Sequence, residues 1–429
     1  MARRRFKLFR GLRLQYNLFI RAVVIAVFGW LGYNLYEASL KPVRVGIFFP
    51  TSGPAALEGR VARDNVLLAL KELEAAEGLL HRPVEVISVN PALQADMRIA
   101  QMRSLLEDEG ADVVFACLTA ACLRELEPVA NASEGLIVYP FADIGLDGSS
   151  HTLTTGSLPN QLLLPPMGWA AERFGKRFYL VASDSLYGRV AREIVRHEVK
   201  RLGGDLVGEM YLDNDFADGT KAAQQILRAA PDVVLNLVIG DANVALYKAL
   251  HAAGAGNGHI PSLFFNNAGR LGFESIGWEA VAGNFAVSFY DPDNRTEVNR
   301  QFAKAFKRQF GNTDSPGPWS EAAYSSVMVW GSAVKRARST DATAVEAHLE
   351  GTVVEVPSGR LEISRGQHYP LRQPLVAEIS NSGVITTVWR ADAPVEPHNN
   401  AIAMPRAAWD RFLDNLHREW GDNWEKPGR

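Results

Sequence analysis

The sequence has few of the features that mark several protein classes. Only two of its 429 residues are cysteine, which excludes a disulfide-rich scaffold and a four-cysteine zinc site. Neither sign of charge dominates, since the chain has 45 Lys and Arg and 48 Asp and Glu, which gives a net charge of −3. A nucleic-acid partner is therefore not expected. Walker A, HExxH and GxSxG motifs are absent, and the histidines lack metal-ligand spacing, so we predict neither an enzyme nor a cofactor or metal site.

The first 42 residues are unlike the rest of the chain. Basic residues without any acid come first, and an apolar run, AVVIAVFGWLGYNLY (22–36), follows them. The basic residues are Arg3, Arg4, Arg5, Lys7, Arg10 and Arg13. This order is typical of a secretory signal or a signal-anchor helix, whose charges stay in the cytoplasm. Residues 18–36 approach the roughly 20 needed to span a bilayer. Because no small-residue cleavage site follows, we favour an uncleaved anchor over a cleaved signal peptide.

From residue 43 onward, buried strand patterns alternate with helical ones. One series runs from VRVGIFFP (43–50) to LIVYP (136–140), and a second runs from RFYLVAS (177–183) to SLFFN (262–266). Strands that are apolar on both faces and separated by helices indicate parallel sheets covered on both sides. A later region, 353–390, is rich in strand patterns, and Ser382-Gly383 predicts a hairpin turn. In such sheets ligands bind beyond the carboxyl ends of the strands.

Eight stretches of the chain carry a resemblance to a known family: VGIFFPTSG (45–53), CLTAACLRELEPV (117–129), GLIVYPF (135–141), SLPNQ (157–161), RFYLVASDSLYGR (177–189), GDANVALYKAL (240–250), WSEAAY (319–324) and PSGRLEISRGQHYPLRQPLVAEI (357–379). In order and spacing they resemble the type I periplasmic binding proteins of the branched-chain amino acid group. The GDANV stretch and the late PSG…H…P…EI stretch are most similar to urea- and short-chain-amide-binding receptors of ABC transporters and to the related amide sensor. The resemblance covers residues 43–395.

The resemblance implies an α/β fold in which two doubly wound parallel-sheet lobes are joined by a three-stranded hinge and close on a small ligand. It implies that lobe 1 comprises 43–157 plus 285–350, and that lobe 2 comprises 158–284 plus 351–395. The N-terminal segment 1–42 and a tail, 396–429, lie outside the two lobes.

The resemblance also implies a ligand site in lobe 1. Thr119 and Ala120 stand where the family has Thr-Ser, and the helix that begins there offers free N–H groups to a carbonyl or carboxylate. A plain N-cap is the alternative role for Thr119. Tyr139, Phe141 and Asp143 stand in the segment that follows the fourth strand, where Asp143 is a candidate partner for an ammonium or amide N–H. Solvation of the loop is its alternative role.

Across the cleft, the resemblance implies that Tyr187 closes over the ligand. Ser185 stands where the amide sensor has another Tyr, so the pocket is less aromatic there, and Asp241 is a candidate partner for a ligand amine or amide. An aromatic ring supplies apolar area at low entropy cost. Helix capping is the alternative role for Asp241, and a core-facing ring is that for Tyr187. Ser52 and Asn267 are further candidates. Trp319 and Glu321 are expected to fix a helix of lobe 1 rather than touch the ligand.

The departures from the urea-type pattern bear on the ligand. Losing the family's Ser and Tyr–Glu pair would leave polar edges of urea unpaired, at about 1–3 kcal/mol each. These departures weigh against urea as the ligand, and a short amide, an amino acid or another polar solute stays open beside it.

Two further features fall outside this pattern. Cys117 and Cys122 straddle a strand–helix turn, and we favour two buried thiols over a disulfide, because the bond would strain the turn. In the tail, apolar residues recur at helical spacing: Trp409, Phe412, Leu413, Leu416 and Trp420. We favour a helix docked on its own domain over an amphipathic helix bound to a membrane or partner.

Together these features predict the solute-binding receptor of an ABC-type importer, which captures a small polar ligand by hinge closure. Its partners would be an ABC permease and, through the N-terminal helix, the inner membrane, on whose periplasmic side it would lie. A membrane-anchored ligand sensor of the same fold is the alternative.

Overall fold

The computed structural model describes most of the chain: residues 23–30, 41–53, 55–76, 78–91, 94–146, 150–213, 216–255, 258–267, 269–311, 315–366 and 368–426. Residues 23–30 are helical and exposed. No helix within these ranges has the length and apolar character to cross a bilayer. Most of the expected anchor, 18–36, lies outside the described residues, so its existence and its cleavage stay predictions.

Fourteen strands are present in the described part of the chain. They are β1 Val43–Phe48, β2 Val84–Val89, β3 Val113–Ala116, β4 Ile137–Tyr139, β5 Thr152–Thr154, β6 Arg177–Ser183, β7 Asp205–Leu212, β8 Val233–Leu237, β9 Ser262–Phe264, β10 Phe285–Ser288, β11 Val353–Val356, β12 Gly359–Glu362, β13 Leu375–Ile379 and β14 Ile385–Arg390.

Helices alternate with these strands. They are α1 Ala56–Ala76, α2 Ala95–Arg103, α3 Ala120–Ala132, α4 Pro159–Leu162, α5 Leu164–Arg173, α6 Leu186–Arg201, α7 Thr220–Ala229, α8 Ala242–Leu250, α9 Arg270–Ile276, α10 Trp278–Val281, α11 Glu297–Phe310, α12 Pro318–Ala337, α13 Ala342–Glu346 and α14 Arg406–Glu419. Wider helical turns, Ser104–Asp108 and His251–Ala255, continue α2 and α8.

The strands form two large sheets, each of which is the centre of one lobe. The first has the order β2-β1-β3-β4-β5 and is parallel throughout. The second has the order β14-β13-β10-β9-β8-β6-β7, and β13 and β14 are its antiparallel edge. The turn at Ser382-Gly383 joins these two strands, as the sequence predicts. The expected α/β fold with parallel sheets is confirmed.

The strand pairing corrects the expected lobe boundaries at two places. Strand β10 pairs with β9 and β13, so residues 285–288 belong to the second sheet and not to lobe 1. The small hairpin of β11 and β12 was expected in lobe 2, but its Val356 and Leu361 are buried in the core of lobe 1. The boundaries drawn from resemblance therefore miss elements that are short and close to a crossing between the lobes.

Cys117 and Cys122 form a disulfide, with 5.6 Å between their Cα atoms. The expectation of two free thiols is wrong, because Cys117 takes a left-handed backbone conformation, with φ at 66°, that turns the chain sharply between β3 and α3. The turn brings the two sulfurs together within the Cα separation that disulfides normally need.

The tail helix α14 is docked on lobe 2, as the sequence favoured. Trp409, Leu413, Leu416 and Trp420 are buried in the same core as the helices of that lobe. The Nε1–H of Trp409 donates to Asn400 Oδ1 at 2.8 Å, which satisfies the polar edge of the buried ring. This docking directs the residues that follow α14 toward the cleft between the lobes.

Candidate ligand-binding site

A cavity of about 320 Å³ lies between the two lobes, beyond the carboxyl ends of the strands in both sheets. Lobe 1 supplies the loops after β1, β3 and β4, and lobe 2 supplies those after β6, β8, β9 and β10. Its size is that of pockets that enclose small molecules. The position is the one expected for ligands in doubly wound sheets.

Two helix N-termini reach the cavity from opposite lobes. Thr119 Oγ1 accepts a hydrogen bond from Cys122 N at 3.2 Å and so caps α3. Ser185 Oγ accepts one from Gly188 N at 3.2 Å and caps α6 in the same way. Both residues line the cavity, as Ala120 does. The positive ends of the two helix dipoles therefore favour a negatively charged group between them.

Aromatic residues from both lobes line part of the cavity. Phe141 packs against Trp319 with 4.4 Å between ring centroids. Further rings come from both lobes: Phe48, Tyr187, Phe265, Phe289 and Tyr290. Such a wall suits a flat, apolar ligand body.

The Tyr187 hydroxyl is a polar group without a partner on this wall. Its side chain is buried, and no hydrogen-bond partner for the hydroxyl occurs among the described residues. Burial, together with the nearby Asp143, raises the pKa of Tyr187, so the hydroxyl stays neutral and can donate. Because buried polar groups are normally hydrogen-bonded, this hydroxyl is available to a ligand.

The chain passes between the lobes three times: after β5, after β10 and between β12 and β13. Arg372 is a buried cation in the third of these crossings, and it lines the cavity. Its guanidinium donates to the carbonyl oxygens of Thr155 and Gly156 in the first crossing. It also lies 5.6 Å from the ring of Phe289 in the second crossing, so this side chain links the third crossing to the other two. Burial lowers the pKa of Arg372, and Glu321 opposes this shift.

Glu321 is a buried carboxylate on the lobe 1 side of the cavity. Its Oε1 accepts hydrogen bonds from the Ser325 and Ser358 hydroxyls, each at 2.6 Å. Sequence reasoning assigned it and Trp319 to helix support, yet both line the cavity. The reason is that α12 begins at Pro318, so its first turn faces the cleft.

The sequence-derived candidates divide into residues that line the cavity and residues that do not. Those that line it are Ser52, Thr119, Ala120, Phe141, Ser185, Tyr187, Asp241 and Asn267. The Asn267 amide is already engaged, since it donates to Phe264 O and Val287 O and accepts from Gly269 N. Whether any of these residues contacts a ligand stays a prediction.

Tyr139 and Asp143 do not line the cavity, which corrects their place in the candidate site. The Tyr139 hydroxyl donates to Ala142 O at 2.9 Å, inside its own loop. Asp143 Oδ2 accepts from the Tyr369 hydroxyl at 2.7 Å, and its Oδ1 accepts from Ile144 N. Tyr139 therefore braces the loop after β4 internally, and Asp143 holds that loop against the segment that leads to β13.

Sequence reasoning also missed Arg372, Phe289, Glu425 and Lys426, all of which line the cavity. Arg372 stands among polar residues and prolines (HYPLRQP, 368–374), so no local pattern marks it as a buried residue. No cluster of three or more potential metal ligands occurs in the part of the chain that the structure describes.

The chain belongs to the periplasmic binding protein family, because the family model described as periplasmic binding protein domain matches residues 43–405. It is of type I, as the resemblance implied. Members of this family are solute-binding receptors and not enzymes.

Known proteins of this kind are similar to the chain at low identity. A Leu/Ile/Val-binding protein homolog 7 of Brucella abortus is 22% identical over 350 residues, which cover 76% of this chain and 84% of that protein. The crystal structure of an ABC transporter solute-binding protein from R. palustris in complex with benzoate superposes with a TM-score of 0.73 at 18% identity, over 85% of this chain and all of the other. A leucine-binding protein from Thermotoga maritima superposes with a TM-score of 0.71 at 17% identity, over 81% and 98%.

Proposed function

We propose that this solute-binding receptor captures a small organic carboxylate with an aromatic body between its lobes and delivers it to an ABC-type importer. The observation that carries the proposal is the buried Arg372 in an aromatic cavity. Among the described residues only backbone carbonyls hydrogen-bond to its guanidinium, and no carboxylate forms an ion pair with it. Glu321 acts on this charge from a distance and opposes the effect of burial, but it forms no ion pair with Arg372. An anionic ligand would offset more of the cost of the buried charge.

Three other features support an anion with an aromatic body. The N-termini of α3 and α6 meet at the cavity and favour negative charge. The Phe141 and Trp319 rings offer a face to a flat ligand. The Tyr187 hydroxyl offers one unused donor. Benzoate, which is bound in the R. palustris protein of the same fold, is a solute of this class. Urea and short amides would use the donors but not the charge, so we expect them to bind more weakly.

The test is a thermal-shift and calorimetric comparison of benzoate, benzamide, leucine and urea on the purified protein. A ligand at 100 times its dissociation constant stabilises the fold by about 2.7 kcal/mol. We expect benzoate to raise the melting temperature more than benzamide, which has the same shape without the charge. A response to benzamide or urea that equals or exceeds the benzoate response contradicts the carboxylate proposal. A response to none of the four contradicts the proposed ligand class.

Tyr187→Phe tests the site itself, because it removes only the hydroxyl. We expect about two- to tenfold weaker benzoate binding, since one hydrogen bond contributes about 0.5–1.5 kcal/mol. Tyr211→Phe is the matched control. The Tyr211 hydroxyl also finds no partner among the described residues, but it does not line the cavity. Equal affinities for the two variants would contradict the proposed role of Tyr187.

The membrane-anchored sensor stays the alternative prediction. Importer function predicts that the protein stimulates solute uptake through a permease, and a sensor would bind the same solute without any effect on uptake.

A further inference from the structure

The residues after α14 cross the mouth of the cleft between the lobes. They begin on lobe 2, where α14 is docked, and Glu425 and Lys426 line the cavity. We call residues 424–426 the strap. They lie beyond the part of the chain that the family model matches, which ends at residue 405.

One end of the strap is bonded to lobe 2. Lys426 Nζ lies 2.5 Å from Asp184 Oδ2 and 2.7 Å from Asp213 Oδ1. Asp184 is 5% exposed, and Arg189 also contacts it at 2.7 Å. Burial would raise the pKa of Asp184, but the hydrogen bonds from Arg189 and Lys426 outweigh it and lower that pKa. The lobe 2 end of the strap is therefore an ion pair on a carboxylate that is ionised at neutral pH.

The strap also contacts lobe 1. Glu425 Oε2 lies 3.3 Å from Arg98 Nη2 of α2, which also binds Glu125 of α3 at 2.6 Å. The Arg124 guanidinium of α3 lies 4.3 Å from the ring centroid of Trp424. Three consecutive residues thus contact both lobes directly, in addition to the three crossings of the hinge.

The Glu425 carboxylate occupies a distinctive position at the N-terminus of α3. Glu425 lines the cavity together with Thr119, the residue that caps α3. Burial and Glu125 raise the pKa of Glu425, while Arg98 and Thr119 oppose the shift. The side chain still has 44% of its surface accessible, because it faces the cavity. A carboxylate of the chain itself therefore lies at the positive end of a helix dipole that faces the ligand cavity.

We propose that the strap joins the lobes across the cleft when no solute is bound, and that its Glu425 carboxylate competes with the solute for the N-terminus of α3. The first part rests on the contacts alone. The second part rests on the proposed function, since it assumes a carboxylate solute. A carboxylate tethered this close acts at a high effective concentration, so it weakens solute binding without any change in the solute's own contacts.

The distance between the lobes tests the first part and needs no ligand. Spin labels at the exposed positions Lys71 of α1 and Arg196 of α6, each changed to Cys, report that distance by pulsed electron spin resonance. We expect Lys426→Ala to lengthen or broaden the distance distribution, because it removes the bonds to Asp184 and Asp213. Lys200→Ala, which removes an exposed lysine of α6, is the matched control. Coincident distance distributions for the parent, Lys426→Ala and Lys200→Ala would overturn the proposal that the strap joins the lobes.

The affinity for benzoate tests the second part. We expect Glu425→Gln and Lys426→Ala each to bind benzoate roughly tenfold more tightly than the parent, the size of one charge-assisted hydrogen bond. The affinity for benzamide should change much less, because it does not compete as an anion. Unchanged or weaker benzoate binding in both variants would overturn the competition. If neither the parent nor any variant binds either probe, the proposed function fails. The distance measurement still decides whether the strap joins the two lobes.

Discussion

The structure has a disulfide between Cys117 and Cys122, whereas the sequence favoured two free thiols. The effect of this bond on stability therefore tests the structure against the sequence expectation. It closes a short loop, with a sequence separation of 5, between β3 and α3. Chain-entropy arithmetic for a loop of this length gives about 2 kcal/mol of stabilisation through the unfolded state. Both cysteines are buried, at 1% and 9% exposure, so the bond is protected in the folded protein. Its removal should lower the free energy of unfolding by about that amount.

The assay is urea unfolding followed by tryptophan fluorescence, with and without a reductant. We expect Cys117→Ala combined with Cys122→Ala to lower the unfolding midpoint, and reductant to lower the midpoint of the parent to a similar extent. Reductant should leave the double variant unchanged, which makes that variant the control. If the parent unfolds identically with and without reductant, and free-thiol titration finds two thiols, the disulfide is refuted and the sequence expectation stands.

Two further variants test the docked helix and the acidic anchor of the strap. Leu413→Ala should lower the free energy of unfolding by about 2–5 kcal/mol, because Leu413 is buried in the lobe 2 core. Urea unfolding measures this change. The matched change Phe412→Ala, at a less buried position of the same helix, should lower the free energy of unfolding by less. Asp184→Asn should destabilise the protein at neutral pH. Because the folded-state pKa of Asp184 is lowered, its contribution is present above the unfolded pKa of about 3.9 and is lost as pH falls through the folded value. The stabilities of parent and variant, measured by unfolding across pH, should therefore converge in acid; a gap that stays constant down to pH 2 would contradict this account.

The fold class could be predicted from the sequence alone, because apolar strand patterns alternate repeatedly with helical ones. Strands such as Val113–Ala116 and Val233–Leu237 are apolar at nearly every position, which only a sheet covered on both faces can accommodate. Thr119 and Ser185 are capping residues directly after such strands, so their place at the strand ends could also be predicted. These features depend on local pattern, and local pattern is visible in a sequence.

The tertiary structure alone decided which side chains share the cavity. Arg372 is more than 200 residues from the Thr155 carbonyl that it contacts, and only the path of the crossings brings them together. The resemblance implied a ligand role for the loop that contains Asp143, yet Tyr369 binds its carboxylate outside the cavity lining. Glu425 shares the cavity with Thr119 because α14 docks on lobe 2 and directs the strap across the cleft. Contacts of this kind depend on how distant segments pack, because the periodicity that specifies a helix or strand carries no information about its distant neighbours.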